Sequence, residues 1–475
     1  MNRPVDEVHH PLTRPGARLP ARRRSNRGAL VVGVLGTFVA MVTYAGPLAN
    51  VPTVARALHA GAAAQTWLLS AVSVALGAAL LTAGSLADNY GRRRAFVGGC
   101  IALALGSLAC GIAPAAPLFI TGRVVSGIGA AGIIASSLGI VAHVSPTPVE
   151  RARASGQWGA ALGAGIALGP VATGLLDEVG RWRWFYLLLA LAVVALAATA
   201  HARVAESRAE TQRRVDVPGA LSLTAALVLL STALTEGRAG LSPLVVSCGV
   251  LAVALLVVFV VTELGRTHPM LDLRLFRQQG FGAATTAAFG NGAGVIGLMS
   301  FACTFFIASL DMSSLHAAVL LLGFSGTSAV SALLARRLPA TVGGSRQLAI
   351  GLFGAAIGEL LMLGQPSSSG WRLVPGLVVI GLASGILNAG LGRQAVATVP
   401  AGQAALGSGA NNTARYIGSG LGITLVVLVA RLSAHTDAVL TWDRTVLVSA
   451  AITIAAALTV LALTRGWRST GTTPR

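Results

Sequence analysis

Fourteen runs of mostly apolar residues, each close to the thickness of a lipid bilayer, partition this chain of 475 residues and restrict its fold more than any other feature. They lie near 29–49, 66–86, 95–113, 117–142, 156–176, 184–202, 217–235, 243–262, 281–308, 315–335, 347–364, 373–392, 410–430 and 445–464. A transmembrane helix needs about 20 such residues. Charged residues make up 11% of the chain, where a soluble protein carries about 25%, and the mean hydropathy is +0.74. A surface of that kind is solvated by lipid. The 58 glycines suit helices packed closely in a bilayer. The expected fold class is an all-α polytopic membrane protein.

The formal net charge is +19, which in a soluble chain suggests a nucleic-acid partner. The arginine positions point to membrane orientation instead, with no nucleic acid involved. With both termini in the cytoplasm, the cytoplasmic segments hold most of the arginines, among them Arg22, Arg23, Arg24, Arg213, Arg214, Arg336 and Arg337. The outer segments hold Arg56, Arg181, Arg183, Arg238, Arg372, Arg431 and Arg444. This asymmetry follows the positive-inside rule, and losing one span inverts everything after it. A polar, basic tail at 1–28 leads into an apolar run too long for a signal peptide, so the first span is expected to be retained. A second cytoplasmic tail covers 465–475. The 35 basic residues include no lysine, a codon bias expected of a bacterium with a GC-rich genome. Cys100, Cys110, Cys248 and Cys303 fall in apolar runs without metal-ligand spacing and read as small buried hydrophobes. No metal or cofactor is expected.

Between the second and third runs stands Gly84-Ser85-Leu86-Ala87-Asp88-Asn89-Tyr90-Gly91-Arg92-Arg93-Arg94. Gly84 and Gly91 let two helix ends approach closely, and Asp88 is suited to cap a helix end and pair with the arginines after it. Arg92, Arg93 and Arg94 hold the loop on the cytoplasmic side. The stretch resembles the signature loop of the major facilitator superfamily, G-x-L-A-D-x-x-G-R-R-R. The spacing of Leu86, Asp88, Gly91 and Arg94 recurs as Leu338, Ala340, Gly343 and Arg346, without the acid. Two six-helix halves follow, with a site at their interface near the bilayer midplane. The expected division is an N-terminal bundle at 29–203, two inserted spans at 204–264 and a C-terminal bundle at 265–464. The fourteen-span form resembles the drug:proton antiporters that export drugs and antibiotics.

Within span 4, Arg123-Val124-Val125-Ser126-Gly127-Ile128-Gly129-Ala130-Ala131 resembles the family element R-x-x-Q-G-x-G-A-A. An arginine inside a span is costly and functional by default. The resemblance links Arg123 to proton transfer; the plain alternative is a snorkelling arginine bonded to carbonyls. Gly159, Gly163, Gly165, Gly169, Pro170 and Gly174 in span 5 resemble the G-x-x-x-G-P-x-x-x-G element of exporters. Gly169 and Pro170 are expected to form a flexible contact between the bundles. Arg181-Trp182-Arg183-Trp184-Phe185 matches the W-R-W-F element, with its tryptophans as interfacial anchors. In span 13, Asn411, Asn412 and Arg415 resemble the N-x-x-R-x-x-G-x-x-x-G segment and either line the cavity or cross-link helices. Asn388 in span 12 is open in the same way.

Span 1 departs from the family, which carries an acid there in a pattern like L-D-x-T-x-V-N-V-A-L-P. This chain reads Val42-Thr43-Tyr44-Ala45-Gly46-Pro47-Leu48-Ala49-Asn50-Val51-Pro52, with Thr43 in the acid's place. Thr43 joins Asn388, Asn411, Asn412 and Arg415 as a candidate cavity residue, but it cannot carry a proton. The remaining candidates for proton binding are Asp311, at the outer end of span 9, and Glu359, inside span 11. Asp177 and Glu178 read as a solvated pair for Arg181 and Arg183. A cavity without a carboxylate favours a neutral or anionic small molecule over a cation. No phosphate-binding loop G-x-x-x-x-G-K-[ST] occurs, so ATP hydrolysis and enzyme activity are not expected. The expected protein is a plasma-membrane monomer that exports a small organic molecule, an antibiotic or natural product, by proton antiport and alternating access. The alternatives are facilitative transport without obligatory protons, or a transporter-like sensor that moves nothing.

Overall fold

A backbone in hydrocarbon has no water to bond, so each apolar run must satisfy its own N–H and C=O groups. Helices do this, and the computed structural model is helical throughout, with no strand among the described residues. Those residues are 19–208, 217–237, 240–266, 275–276, 278–335, 344–364, 370–399, 404–433 and 437–465. Arg213, Arg214, Arg238, Arg336, Arg337, Leu338, Ala340 and Gly343 lie outside them, as do most of the two tails.

The first half contains α1 (Leu19–Ala45), a 3-10 turn at Gly46–Ala49, and the short α2 (Val51–Ala57). It continues through α3 (Ala62–Tyr90), α4 (Arg92–Ile112), α5 (Ala116–His143), α6 (Pro148–Glu178) and α7 (Trp182–Arg203). Then come α8 (Val217–Glu236) and α9 (Pro243–Gly265). The second half starts with α10 (Gln279–Asn291), a π turn at Gly292–Ile296, and α11 (Gly297–Ser309), which together make one crossing. It ends with α12 (Ser314–Leu334), α13 (Gly344–Leu360), α14 (Val374–Ala397), α15 (Ala404–Leu432) and α16 (Ala438–Arg465).

Among the described residues, twelve of these helices are long and apolar enough to cross a membrane, against the fourteen spans expected. The two that fall short are α8, whose described apolar stretch is Leu221–Leu234, and α13, which has 17 residues. At 1.5 Å per residue α13 reaches about 25 Å, just under the roughly 30 Å hydrocarbon core.

Each half has its own buried core. Phe96, Leu103, Phe119 and Tyr186 centre the first, and Phe305, Phe306, Leu377 and Trp442 the second. Small residues bring backbones together inside the first half: a Cβ on Gly99 would meet the Gly129 carbonyl at 2.7 Å, and one on Gly122 the Gly106 carbonyl at 2.7 Å. The halves meet along two seams, α6 on α12 and α3 on α15. α8 lies over the α3–α15 seam. Thr82 and Thr224 share a hydrogen bond of 3.1 Å, and Thr424 Oγ1 donates to the Leu234 carbonyl at 2.7 Å. α9 packs mainly on α8 and leaves Val250, Val253 and Val257 exposed, a face suited to lipid.

Candidate functional site

The Asp88 loop is a joint between α3 and α4. α3 ends at Gly91, whose φ of +124° is open to glycine and strained for other residues. Asp88 Oδ1 accepts from Arg92 Nη2 at 2.9 Å and Nε at 3.1 Å, and both side chains are buried. Arg92 Nη1 also reaches the Gly139 carbonyl of α5, at 3.4 Å. Asp88 thus ties α3, α4 and α5 together and is not the cap of α4. That task falls to Glu206, just after α7, which the sequence reading did not single out. Its carboxylate accepts from the Arg93 backbone N–H at 3.0 Å, while Ser207 O accepts from the Arg92 N–H at 2.9 Å. Glu206 Oε2 also lies 3.8 Å from Arg93 Nε and 3.7 Å from Arg94 Nε. A carboxylate at a helix start satisfies free N–H groups and meets the favourable end of the dipole. No local pattern pointed to it, since it lies 113 positions from Arg93.

Arg123 is buried inside the first half, 1% exposed, and is not a snorkelling residue. Its Nη1 donates to the Thr43 carbonyl at 2.8 Å, which places the guanidinium beside the position whose expected acid is missing. Nε and Nη2 have no hydrogen-bond partner, and no carboxylate pairs with Arg123 among the described residues. The Thr43 hydroxyl is turned back onto the Val39 carbonyl at 2.9 Å.

A cavity lies between the halves and is lined from both. Tyr44, Ile166 and Pro170 line it from the first half, and Asn291, Met299, Phe324, Ser384, Asn388, Arg415 and Tyr416 from the second. A smaller space is lined by Asn388, Ser408, Asn411, Asn412 and Arg415 with Trp158 and Leu162. Leu162, Asn388 and Arg415 border both, a shared edge called the neck. Four of the five expected cavity residues therefore gather here, and Thr43 does not. Arg415 Nη2 donates to Asn412 Oδ1 at 2.5 Å, and its guanidinium lies 5.1 Å from the Tyr416 ring centroid. The π turn sits opposite: Gly292 packs against the Arg415 carbonyl and brings Asn291 into the lining. A π turn inside a helix often marks a functional position.

Pro170 faces the cavity, but Gly169 does not contact the other half. It turns to the end of α1 and the 3-10 turn after it, where a Cβ would meet the Val42 carbonyl at 3.1 Å and Gly46 N at 2.9 Å. On α6 the contact with the other half falls at Gly163, where a Cβ would lie 3.1 Å from Ala329 N, and at Gly174, where one would lie 3.3 Å from Leu315 Cα. Helical phase explains this: eleven residues are about three full turns, so Gly163 and Gly174 share a face that Gly169 does not. Asp177 is also not the expected partner of the nearby arginines. Its Oδ2 accepts from Thr53 Oγ1 at 2.8 Å, and Arg183 Nη1 donates to the Ala113 carbonyl at 2.7 Å. Trp182 is buried against Phe119 and Tyr186, while Trp184 is exposed.

The two proton-binding candidates stand in different surroundings. Asp311 is exposed, with φ of +54°, where it ends α11 and Met312 N donates back to the Phe306 carbonyl at 3.2 Å. Glu359 is fully buried between α13 and α16. Its Oε1 accepts from Ser449 Oγ at 2.9 Å and Thr453 Oγ1 at 3.4 Å, and Oε2 has no partner. It lines neither cavity.

The model of the Major Facilitator Superfamily matches residues 33–423. The multidrug resistance protein Stp of Mycobacterium tuberculosis is 29% identical over 85% of this chain and 76% of its own. The puromycin resistance protein pur8 of Streptomyces alboniger is 32% identical over 82% of this chain and 79% of its own. The solved structure of the human organic anion transporter MFSD10 superposes with a TM-score of 0.65 at 17% identity, covering 92% of this chain and 99% of that one, a likeness of fold. With two helical halves, a cavity between them and this match, the chain belongs to the Major Facilitator Superfamily, a family of membrane transporters and not of enzymes.

Proposed function

We propose that this protein exports a small organic molecule, an antibiotic or natural product, from a bacterial cell by proton antiport. The observation that carries the reading is the cavity lined from both halves, with Leu162, Asn388 and Arg415 at its shared edge with a second space. A site at the interface of two bundles is exposed to either side as the bundles rock, which is alternating access. Relatives named for multidrug and puromycin resistance support an antibiotic as cargo. We place α8 and α13 in the membrane as spans 7 and 11, for fourteen in all, with both termini and the Asp88 loop in the cytoplasm. In this reading the Asp88 and Arg92–Arg94 joint latches the cytoplasmic side in one state, and the α6–α12 glycine seam lets the halves move.

Glu359 is the proton carrier in this account, as the protonatable side chain buried at membrane depth beside the π-turn crossing; a Cβ on Gly294 would abut Thr453 Oγ1, one of its hydrogen-bond donors. A second reading, uncoupled facilitation, is favoured by one observation: Arg123 meets Thr43 where the family places an acid. Antibiotic accumulation in pump-deficient cells, with and without an uncoupler, separates the two. Coupled export predicts low accumulation that an uncoupler abolishes and that Glu359→Gln raises toward the empty-cell level. Export insensitive to both treatments selects facilitation; no export of any compound rejects transport.

A further inference from the structure

We infer that the cargo is an organic anion whose acidic group is held by Arg415 at the neck of the cavity, a conclusion that rests on the transport reading above. Among the described residues, Arg415 is the one charged residue lining the two spaces, and no carboxylate lines either. It is 5% exposed, in no ion pair among the described residues, and its Nε has no acceptor. Asn412 Oδ1 and the Tyr416 ring are neutral partners and leave the charge uncompensated. A buried guanidinium without a counter-charge is costly, and the planar fork of arginine matches a carboxylate in geometry and charge. A cation in the same space meets repulsion that low dielectric strengthens.

The rest of the lining specifies the rest of the molecule. Asn291 Oδ1, Asn388 Oδ1 and Ser384 Oγ are buried in a mostly apolar lining without partners, so a bound cargo satisfies them with hydroxyl or N–H groups. Tyr44 and Tyr416 meet edge to face at 5.4 Å and offer an aromatic surface next to the charge. The fitting cargo is an aromatic acid that carries hydrogen-bond donors. Arg415 is held rigidly for this role, because Gly292 and Gly418 let the π-turn crossing and α15 touch backbone to backbone around it.

The test uses the full chain in lipid nanodiscs and three size-matched anthracene probes that end in a carboxylate, a methyl ester or a trimethylammonium group. Fluorescence titration is expected to show the carboxylate binding about tenfold tighter than either of the others. Arg415→Gln is expected to remove that preference and Arg415→Lys to keep part of it. Equal or tighter binding of the ester or the ammonium, no saturable binding of the carboxylate, or an unchanged preference in a folded Arg415→Gln protein overturns the proposal. The three-probe comparison on the unaltered protein stands even if the variants do not fold. Flux in proteoliposomes separates this inference from the reading beneath it: carboxylate bound but never moved defeats transport and leaves anion recognition, whereas ammonium moved in preference defeats anion recognition and leaves transport.

Discussion

Glu206 and Gly91 work against each other at the α3–α4 joint, and that opposition can be measured. A Cβ at position 91 would lie 2.5 Å from Glu206 Oε1, on a backbone already at positive φ. Gly91→Ala is expected to cost about 2 kcal/mol of stability, and Glu206→Ala about 1 kcal/mol through the lost cap. In the double variant the clash disappears with the carboxylate, so the combined loss is expected to be smaller than the sum, as a thermal-denaturation cycle would show. Strict additivity would mean that the two do not touch. Arg123 offers a second residue-level test. Thr43→Asp returns a carboxylate beside an unpaired cation and is expected to raise the melting temperature relative to Thr43→Asn. A lower melting temperature for the aspartate variant would show that Arg123 is already balanced. The Asp88–Arg92 pair was legible in the sequence because its partners are four residues apart. The Glu206 cap and the Arg123–Thr43 contact were not, since they join residues 113 and 80 positions apart that only the folded bundle brings together.

Apolar length located the long helices but not the short α2, because what a bilayer demands of a span is local. Depth in the bundle is a different property. α13 is short yet has a buried face carrying Glu359, as an inner helix does, and its full apolar run includes the turn at 361–364. The glycines of α6 show what a motif leaves open. Its spacing was readable, but the side of the helix that meets the other half depends on which residues share a face with Gly163. Gly163→Leu is expected to push α6 from α12 and abolish export, while Gly98→Leu, with open space around it, is expected to be neutral in the same accumulation assay. Loss of export in both would mean that any added bulk harms the fold, and retention in both would remove the seam from the mechanism. The π turn of the α10–α11 crossing gave no sequence signal, since it follows from how Gly292, Gly294 and Gly297 fit α15 and α16.

At the scale of the molecule, two halves around a shared space were foreseeable from the repeat and the family likeness, but the neck was not. It takes Leu162 from one half and Asn388 and Arg415 from two helices of the other, a convergence that no local pattern encodes. The central claim is that this neck is a transport path opened in turn to each side of the membrane. The most direct test places a cysteine at the neck, Asn388→Cys, in proteoliposomes; the four native cysteines are buried and keep the background low. A membrane-impermeant thiol reagent is then applied to one face at a time. The account predicts slow labelling from either face, with each slowed when a cross-link across the α6–α12 seam holds the halves together. Labelling from one face alone, or labelling that the cross-link leaves unchanged, would contradict it.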